Sequence, residues 1–214
     1  MSRKRKIKKG RVLTLLFLIV VVGVLLYFAY QKWSSNSKDI KKVKDISSIK
    51  GYGYTLRENA TDYYKGLFKK LSKVLSSDEV DMDKYASLEC QMFVSDFFNL
   101  DNKLSKSDVG GTEFVYSTYK EDFRKYAMDS LYKSVLSNVY GNRKQKLPIV
   151  SETSCEKVRN ESFKYGDAND DNAYVFNFDI KYKEDMDYQS KGSLTIIHSD
   201  KKLEVASMAE DKVN

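Results

Sequence analysis

The chain has 214 residues, a formal charge of +7 and 31% charged side chains. Seven of its 37 lysines and arginines fall in the first eleven residues, which leaves 30 against 30 acidic side chains in the remainder. A neutral remainder carries no basic field, so the excess reads as a topology signal and argues against a nucleic-acid partner.

The basic tail holds Arg3, Lys4, Arg5, Lys6, Lys8, Lys9 and Arg11, with no acid among them. Nineteen uncharged residues follow, Val12 to Tyr30. As a helix that run would span about 28 Å, close to the ~30 Å hydrocarbon core of a bilayer. Basic clusters stay on the cytoplasmic side. The expectation is a single transmembrane anchor over 12–30, with a cytoplasmic tail at 1–11 and everything after Trp33 outside the membrane. The anchor residues are Val12, Leu15, Leu16, Phe17, Ile19, Val22, Leu25, Tyr27, Tyr30 and Trp33. The last three suit an interfacial aromatic belt. The exit of the run is bulky and lacks a small-x-small cleavage site, which favours a retained anchor over a removed signal peptide.

Residues 31–54 read as a short stalk. Ile40, Val43, Ile46 and Ile49 recur every three residues among lysines. The pattern fits a loose turn of helix leading into the domain, with a headgroup-touching amphipathic helix as the alternative. From Thr55 the spacing turns helical. Ala60, Tyr63, Tyr64, Leu67, Phe68, Leu71, Val74 and Leu75 follow the i, i+3, i+4 rule. Ser76-Ser77-Asp78 ends this helix and opens a second, about 77–100, with Ala86, Cys90, Phe93, Phe97 and Leu100 as its stripe. Asp108-Val109-Gly110-Gly111 is a turn signal and not a phosphate loop, because no Gly-Lys-Ser/Thr follows. A third helix is expected over about 116–140, ended by Gly141.

After Pro148, the only proline, the period changes to two. Tyr174, Phe176, Phe178, Ile180 and Tyr182 alternate with other residues in the clearest strand. Leu194 to His198 and Leu203 to Met208 form two more, joined at Ser199-Asp200-Lys201. Leu147 to Val158 and Glu161 to Tyr165 supply one or two weaker ones. Short connections make the sheet antiparallel. The fold class is α+β: an N-terminal transmembrane helix, then three helices packed on one curved antiparallel sheet of four or five strands, with the folded domain at 55–210.

That order of elements resembles the nuclear-transport-factor-2-like fold, in which helices lead and a bent sheet wraps them into a cone. With the basic tail and the apolar run, the layout is similar to the bitopic scaffold proteins of type IV secretion and conjugation machines. The resemblance covers the layout of the whole chain and rests on no motif. The Asn-Pro-x-Gly segment of the Gram-negative scaffolds is missing, since Pro148 is followed by Ile149. The resemblance implies protein–protein assembly and transfers no functional residue. The scarcity of proline, with abundant Lys, Asn, Tyr and Ile, suggests an AT-rich bacterial genome.

The chain offers no motif for chemistry. His198 is the only histidine, and a zinc site takes three or four protein ligands. It reads as surface or edge packing. The oxygen-rich stretch Asp167–Asn172 breaks the alternation of a calcium loop and reads as a solvated hairpin. Cys90 and Cys155 fit either one bond or buried free thiols. Acids are plentiful, and none stands out as buried. The sequence therefore predicts no catalytic residue, no cofactor and no metal. It predicts a non-enzymatic single-pass membrane protein of a bacterial envelope complex. Its partners would be the bilayer and other membrane or envelope proteins, self-association included. The alternative is a small-ligand or sensory domain with a pocket between sheet and helices. A ligand binder would show a closed cavity of several hundred Å³ with convergent polar groups. An enzyme would show clustered ionisable groups with shifted pKa values in a cleft.

Overall fold

The computed structural model describes residues 20–28 and 40–210. It divides into a unit up to Ile40 and a compact unit from Lys41.

In the first unit, residues 20–28 form a helix, α1. Nine helical residues rise about 13 Å, less than half of the ~30 Å that a span must cover. Among the described residues no helix is long and apolar enough to cross a membrane. This overturns the expected single-pass anchor, and with it the placement of the tail inside and the body outside a cell membrane. An apolar run shows which residues avoid water, not how many of them share one helix. Val22, Leu25 and Tyr27 lie in α1. The basic tail residues, the anchor positions Val12, Leu15, Leu16, Phe17, Ile19, Tyr30 and Trp33, and the stalk up to residue 39 lie outside the described residues.

The second unit opens with a hairpin where a turn of helix was expected. Strand β1 (Asp45–Ile49) pairs antiparallel with β2 (Tyr54–Arg57). Gly51 and Gly53 have φ of 87° and 72°. Side chains with a Cβ disfavour that region, so these two glycines make the reversal. Ile49, Tyr54 and Leu56 point inward and bury the hairpin's inner face.

Helix α2 (Asp62–Leu75) starts where Thr61 accepts the Tyr64 N–H at its hydroxyl, 3.1 Å, and Asp62 adds negative charge to the first turn. Its stripe of Tyr64, Leu67, Phe68, Leu71, Val74 and Leu75 is buried. Helix α3 (Met82–Phe97) is capped by Asp81, which accepts the Lys84 N–H at 3.1 Å. It is buried on most sides because it lies between α2 and the sheet. The third helix is shorter than its periodicity implied. A 3₁₀ turn (Ser117–Tyr119) leads into α4 (Lys120–Asp129), which stops at Ser130 with φ −115° and ψ −104°. Residues 130–149 then run as an irregular strap. Arg143 ties it down by donating to the carbonyls of Lys103, Leu136 and Asp101, and Asn138 N–H donates to the Leu104 carbonyl at 2.7 Å. Tyr132 and Val135 are buried from the strap, which satisfies the apolar pattern without a helix.

The main sheet has four antiparallel strands in the order β3 (Val150–Tyr165), β4 (Ala168–Tyr182), β5 (Lys191–Ser199) and β6 (Lys202–Glu210). Where one or two weaker strands were expected before Tyr165, there is a single strand with three register shifts. Tyr174, Phe176, Phe178 and Ile180 bury one face of β4, as the alternation predicted. Gly192 lets β5 pass beside it. A Cβ there would sit 2.6 Å from the Phe178 ring and 2.6 Å from the Ala209 carbonyl oxygen. The expected single curved sheet and cone give way to two sheets, of two and four strands, with four described helices. The α+β class stands.

Cys90 on α3 and Cys155 on β3 form a disulfide, with Cα atoms 6.3 Å apart. It fixes the helical layer to the sheet at a fully buried position of α3. Such bonds persist in oxidising surroundings.

Candidate functional site

Ionisable side chains converge where β2, the start of α2, the end of α3 and the loop 102–113 meet. They surround a cavity of about 270 Å³. Strand β2 supplies Thr55 and Arg57, α2 supplies Tyr64, and α3 supplies Asp96. Asp108 and Glu113 come from the loop, and Arg124 from α4.

Two ion pairs form the frame. Arg57 binds Asp108 through both guanidinium nitrogens, at 2.8 and 3.1 Å. Asp108 also accepts the Leu104 N–H at 2.8 Å. Burial alone would raise the Asp108 carboxyl, but the Arg57 bonds, the Leu104 N–H and the Lys103 charge outweigh it and hold it below the usual carboxylate range. The second pair lies beneath. Lys103 has a fully buried side chain and bonds Asp96, which also accepts the Gly111 N–H at 2.7 Å. Gly110 makes this possible: a Cβ there would collide with the Asp96 carbonyl oxygen and lie 2.6 Å from the Lys103 ammonium. Tyr132 donates to the Phe97 carbonyl at 2.6 Å and accepts the Gly110 N–H at 3.0 Å, which holds the loop against α3.

Glu113 is different. Its Oε2 accepts from the Thr55 N–H at 2.9 Å and the Thr55 hydroxyl at 3.1 Å. Its Oε1 takes a long bond of 3.3 Å from the Tyr64 hydroxyl. Among the described residues no cation pairs with it. Burial pushes its pKa up to about 7, Asp96 pushes the same way, and the Thr55 and Tyr64 donors only partly compensate. Arg124 sits exposed at the cavity edge, and no described side chain bonds or pairs with it.

Two other polar clusters lie elsewhere. His198 is not a plain surface residue. Its Nδ1 lies 2.9 Å from Asp170 Oδ2, its N–H donates to the same oxygen at 2.7 Å, and its ring packs on Tyr174. Asp170, from the stretch read as a solvated loop, is buried in β4. Burial raises its carboxyl, but the His198 and Asn172 N–H bonds prevail and hold it low. No nucleophile or metal-ligand group joins this pair; among the described residues no cluster could hold a metal ion. Deeper in the core Tyr54, Tyr85 and Glu89 form a chain, with the two hydroxyls 2.6 Å apart. Burial raises the Glu89 carboxyl well above its ordinary value. This chain locks the hairpin to α3 and β6, because Leu203 N–H also donates to the Tyr85 hydroxyl at 3.1 Å. A broader hollow of about 660 Å³ between the end of α2 and the start of α3 is edged by exposed Lys70, Lys73 and Lys84, with no buried charge.

Of the residues singled out at the N-terminus, Val22, Leu25 and Tyr27 lie in α1 of the first unit and the others lie outside the described residues. No local pattern marks Arg57, Asp96, Lys103, Asp108, Glu113 or Arg124 as members of one site. The one available signal was the Asp108-Val109-Gly110-Gly111 turn, which folds the acids on either side of it inward. The chain matches no protein-family model, no curated protein and no solved structure.

Proposed function

We propose that the compact unit is a binding domain for a small polar molecule, held in the cavity beside Glu113, and that it carries out no reaction. The observation that supports this is Glu113 itself: a carboxyl turned into a cavity, fixed by Thr55 and Tyr64, with no cation among the described residues to neutralise it. A structural carboxyl would be paired or left in water. A catalytic one would need a nucleophile, metal or second proton-transfer group aimed at the same space. Asp96 and Asp108 are already held by Lys103 and Arg57 and are not free for that role. The cavity is slightly below the usual range of about 300–1,000 Å³ for drug-sized ligands, which fits a small metabolite.

The test is a thermal-shift screen of the full-length chain against small polar metabolites, repeated with Glu113→Gln. Ligands that raise the melting temperature of the wild type and not of the variant support the proposal. A screen whose hits stabilise both proteins equally removes it.

Protein–protein assembly is the second reading, without its membrane component. Strand β6 is an edge of the sheet, bridged on its outer side only at Val205 by Val115. A groove of about 300 Å³ beside it is walled by Tyr119, Phe123, Tyr126 and Met208, and Tyr126 is 70% exposed. Light scattering of the full-length chain tests this. Concentration-dependent self-association that Tyr126→Asp abolishes would favour it, and a monomer at every concentration would count against the self-association it includes.

A further inference from the structure

The geometry points to a zwitterion of amino-acid size as the occupant of the cavity, its ammonium group set against Glu113 and its carboxylate against Arg124. This rests on the small-molecule reading above and names the ligand class.

Charges around the cavity are not all paired among the described residues. Five charged side chains line it: Arg57, Asp96, Asp108, Glu113 and Arg124. Arg57 and Asp108 neutralise each other in a two-bonded pair. Asp96 is neutralised from beneath by Lys103. That leaves one acid, Glu113, and one base, Arg124, and among the described residues neither forms an ion pair. A ligand carrying only a positive charge would satisfy Glu113 and leave Arg124 idle. A ligand carrying only a negative charge would meet Glu113, Asp96 and Asp108 across a small space, and only Arg124 is free to bind it. A molecule with both charges matches both.

The hydrogen-bonding capacity agrees. An ionised carboxylate offers about four lone-pair sites. Glu113 uses two well, on Thr55, and a third poorly, on Tyr64. Oε1 is therefore the open acceptor, and an ammonium group brings three donors. Arg124 can grip a carboxylate with two parallel N–H bonds, the geometry in which arginine outperforms lysine. Asn102, Ser107 and Thr112 also line the cavity, and its apolar contribution comes from Ala60, Val109 and the Tyr64 ring. That favours small or polar side chains on the ligand over large aromatic ones.

Isothermal titration of the full-length chain decides the matter. The probes are the twenty amino acids and, for the tightest of them, the amine and the carboxylic acid that share its side chain. At least one amino acid should bind ten-fold or more tightly than either of its halves. Glu113→Gln and Arg124→Gln should each weaken it at least ten-fold while both variants melt as cooperatively as the wild type. If the amine half binds as tightly as the amino acid and Arg124→Gln changes nothing, the zwitterion is wrong and the cavity still binds a ligand. If neither amino acids nor halves bind, while unrelated polar metabolites protect the wild type and not Glu113→Gln, the ligand class is wrong. If nothing binds at all, this inference falls together with the binding-domain reading.

Discussion

Glu113→Gln should make the protein more stable at neutral pH and leave it nearly unchanged in acid. The wild-type carboxyl is raised from 4.5 to about 7 by burial. A folded-state pKa above the unfolded one means that folding takes up a proton. The stability is whole below about pH 4.5 and is lost as pH rises through about 7. Taken at face value the shift is worth roughly 3 kcal/mol. Glu113 is half-buried beside an open cavity, so solvent screening brings the realised loss to about 1–3 kcal/mol. Glutamine keeps the shape. Its carbonyl can accept both Thr55 bonds, and its amide can donate to the Tyr64 hydroxyl, which rotates to accept. It has no charge to desolvate. The variant should therefore match the wild type near pH 4.5 and exceed it by about 1–3 kcal/mol near pH 8. In a chain of this size that is a rise of roughly 2–12 °C in melting temperature. Glu89 slopes in the same direction and Asp108 in the opposite one, but both are common to the two proteins and cancel in the difference. Urea melts of both proteins from about pH 4.5 to 8 measure it. A difference that does not vary with pH would refute the claim that Glu113 is a buried, uncompensated carboxyl.

Reducing the Cys90–Cys155 bond, or replacing both cysteines by alanine, releases a loop with a sequence separation of 65 and should cost about 4 kcal/mol, read as a lower urea midpoint. Arg57→Ala strands Asp108 without its cation and should cost about 2–3 kcal/mol, because the pair is partly screened by solvent; Asp108→Ala in the same background should recover part of it in a double-mutant cycle. Gly66 is exposed within α2, and a Cβ there would meet nothing within 4 Å, so Gly66→Ala should stabilise by about 0.5–1 kcal/mol in thermal melts.

Periodicity carried α2 and strands β4 to β6 into view, because each has one strongly apolar face, and α3 too, although it packs between α2 and the sheet and is buried on most sides. It failed where another constraint replaced that geometry. The isoleucines and valine between residues 40 and 49 repeat at helical spacing, yet Gly51 and Gly53 turn the chain into a hairpin and only Ile49 is buried among the described isoleucines of that stretch. A third helix was expected to run to about residue 140, but Tyr132 and Val135 reach the core from a strap held by Arg143 and not from a helix. The apolar run behind the basic tail looked like a full span, whereas its described helical part covers residues 20–28. The candidate site was hidden for a different reason. Arg57 and Asp108 are 51 positions apart, and Thr55 and Glu113 are 58 apart. Local patterns do not reveal which acids will face which bases across such distances. The pairing of Cys90 with Cys155 was legible as one of two outcomes, and the approach of α3 to β3 decides it.

The most direct test of the account is the amide spectrum of the isotope-labelled full-length chain during addition of a small-molecule ligand. A ligand bound at the cavity should move the Thr55, Gly111 and Glu113 signals together, and Glu113→Gln should abolish the movement. Signals that move only along the α4–β6 groove, or only around Lys70, Lys73 and Lys84, would show that the charged cavity is a structural joint and that binding occurs elsewhere.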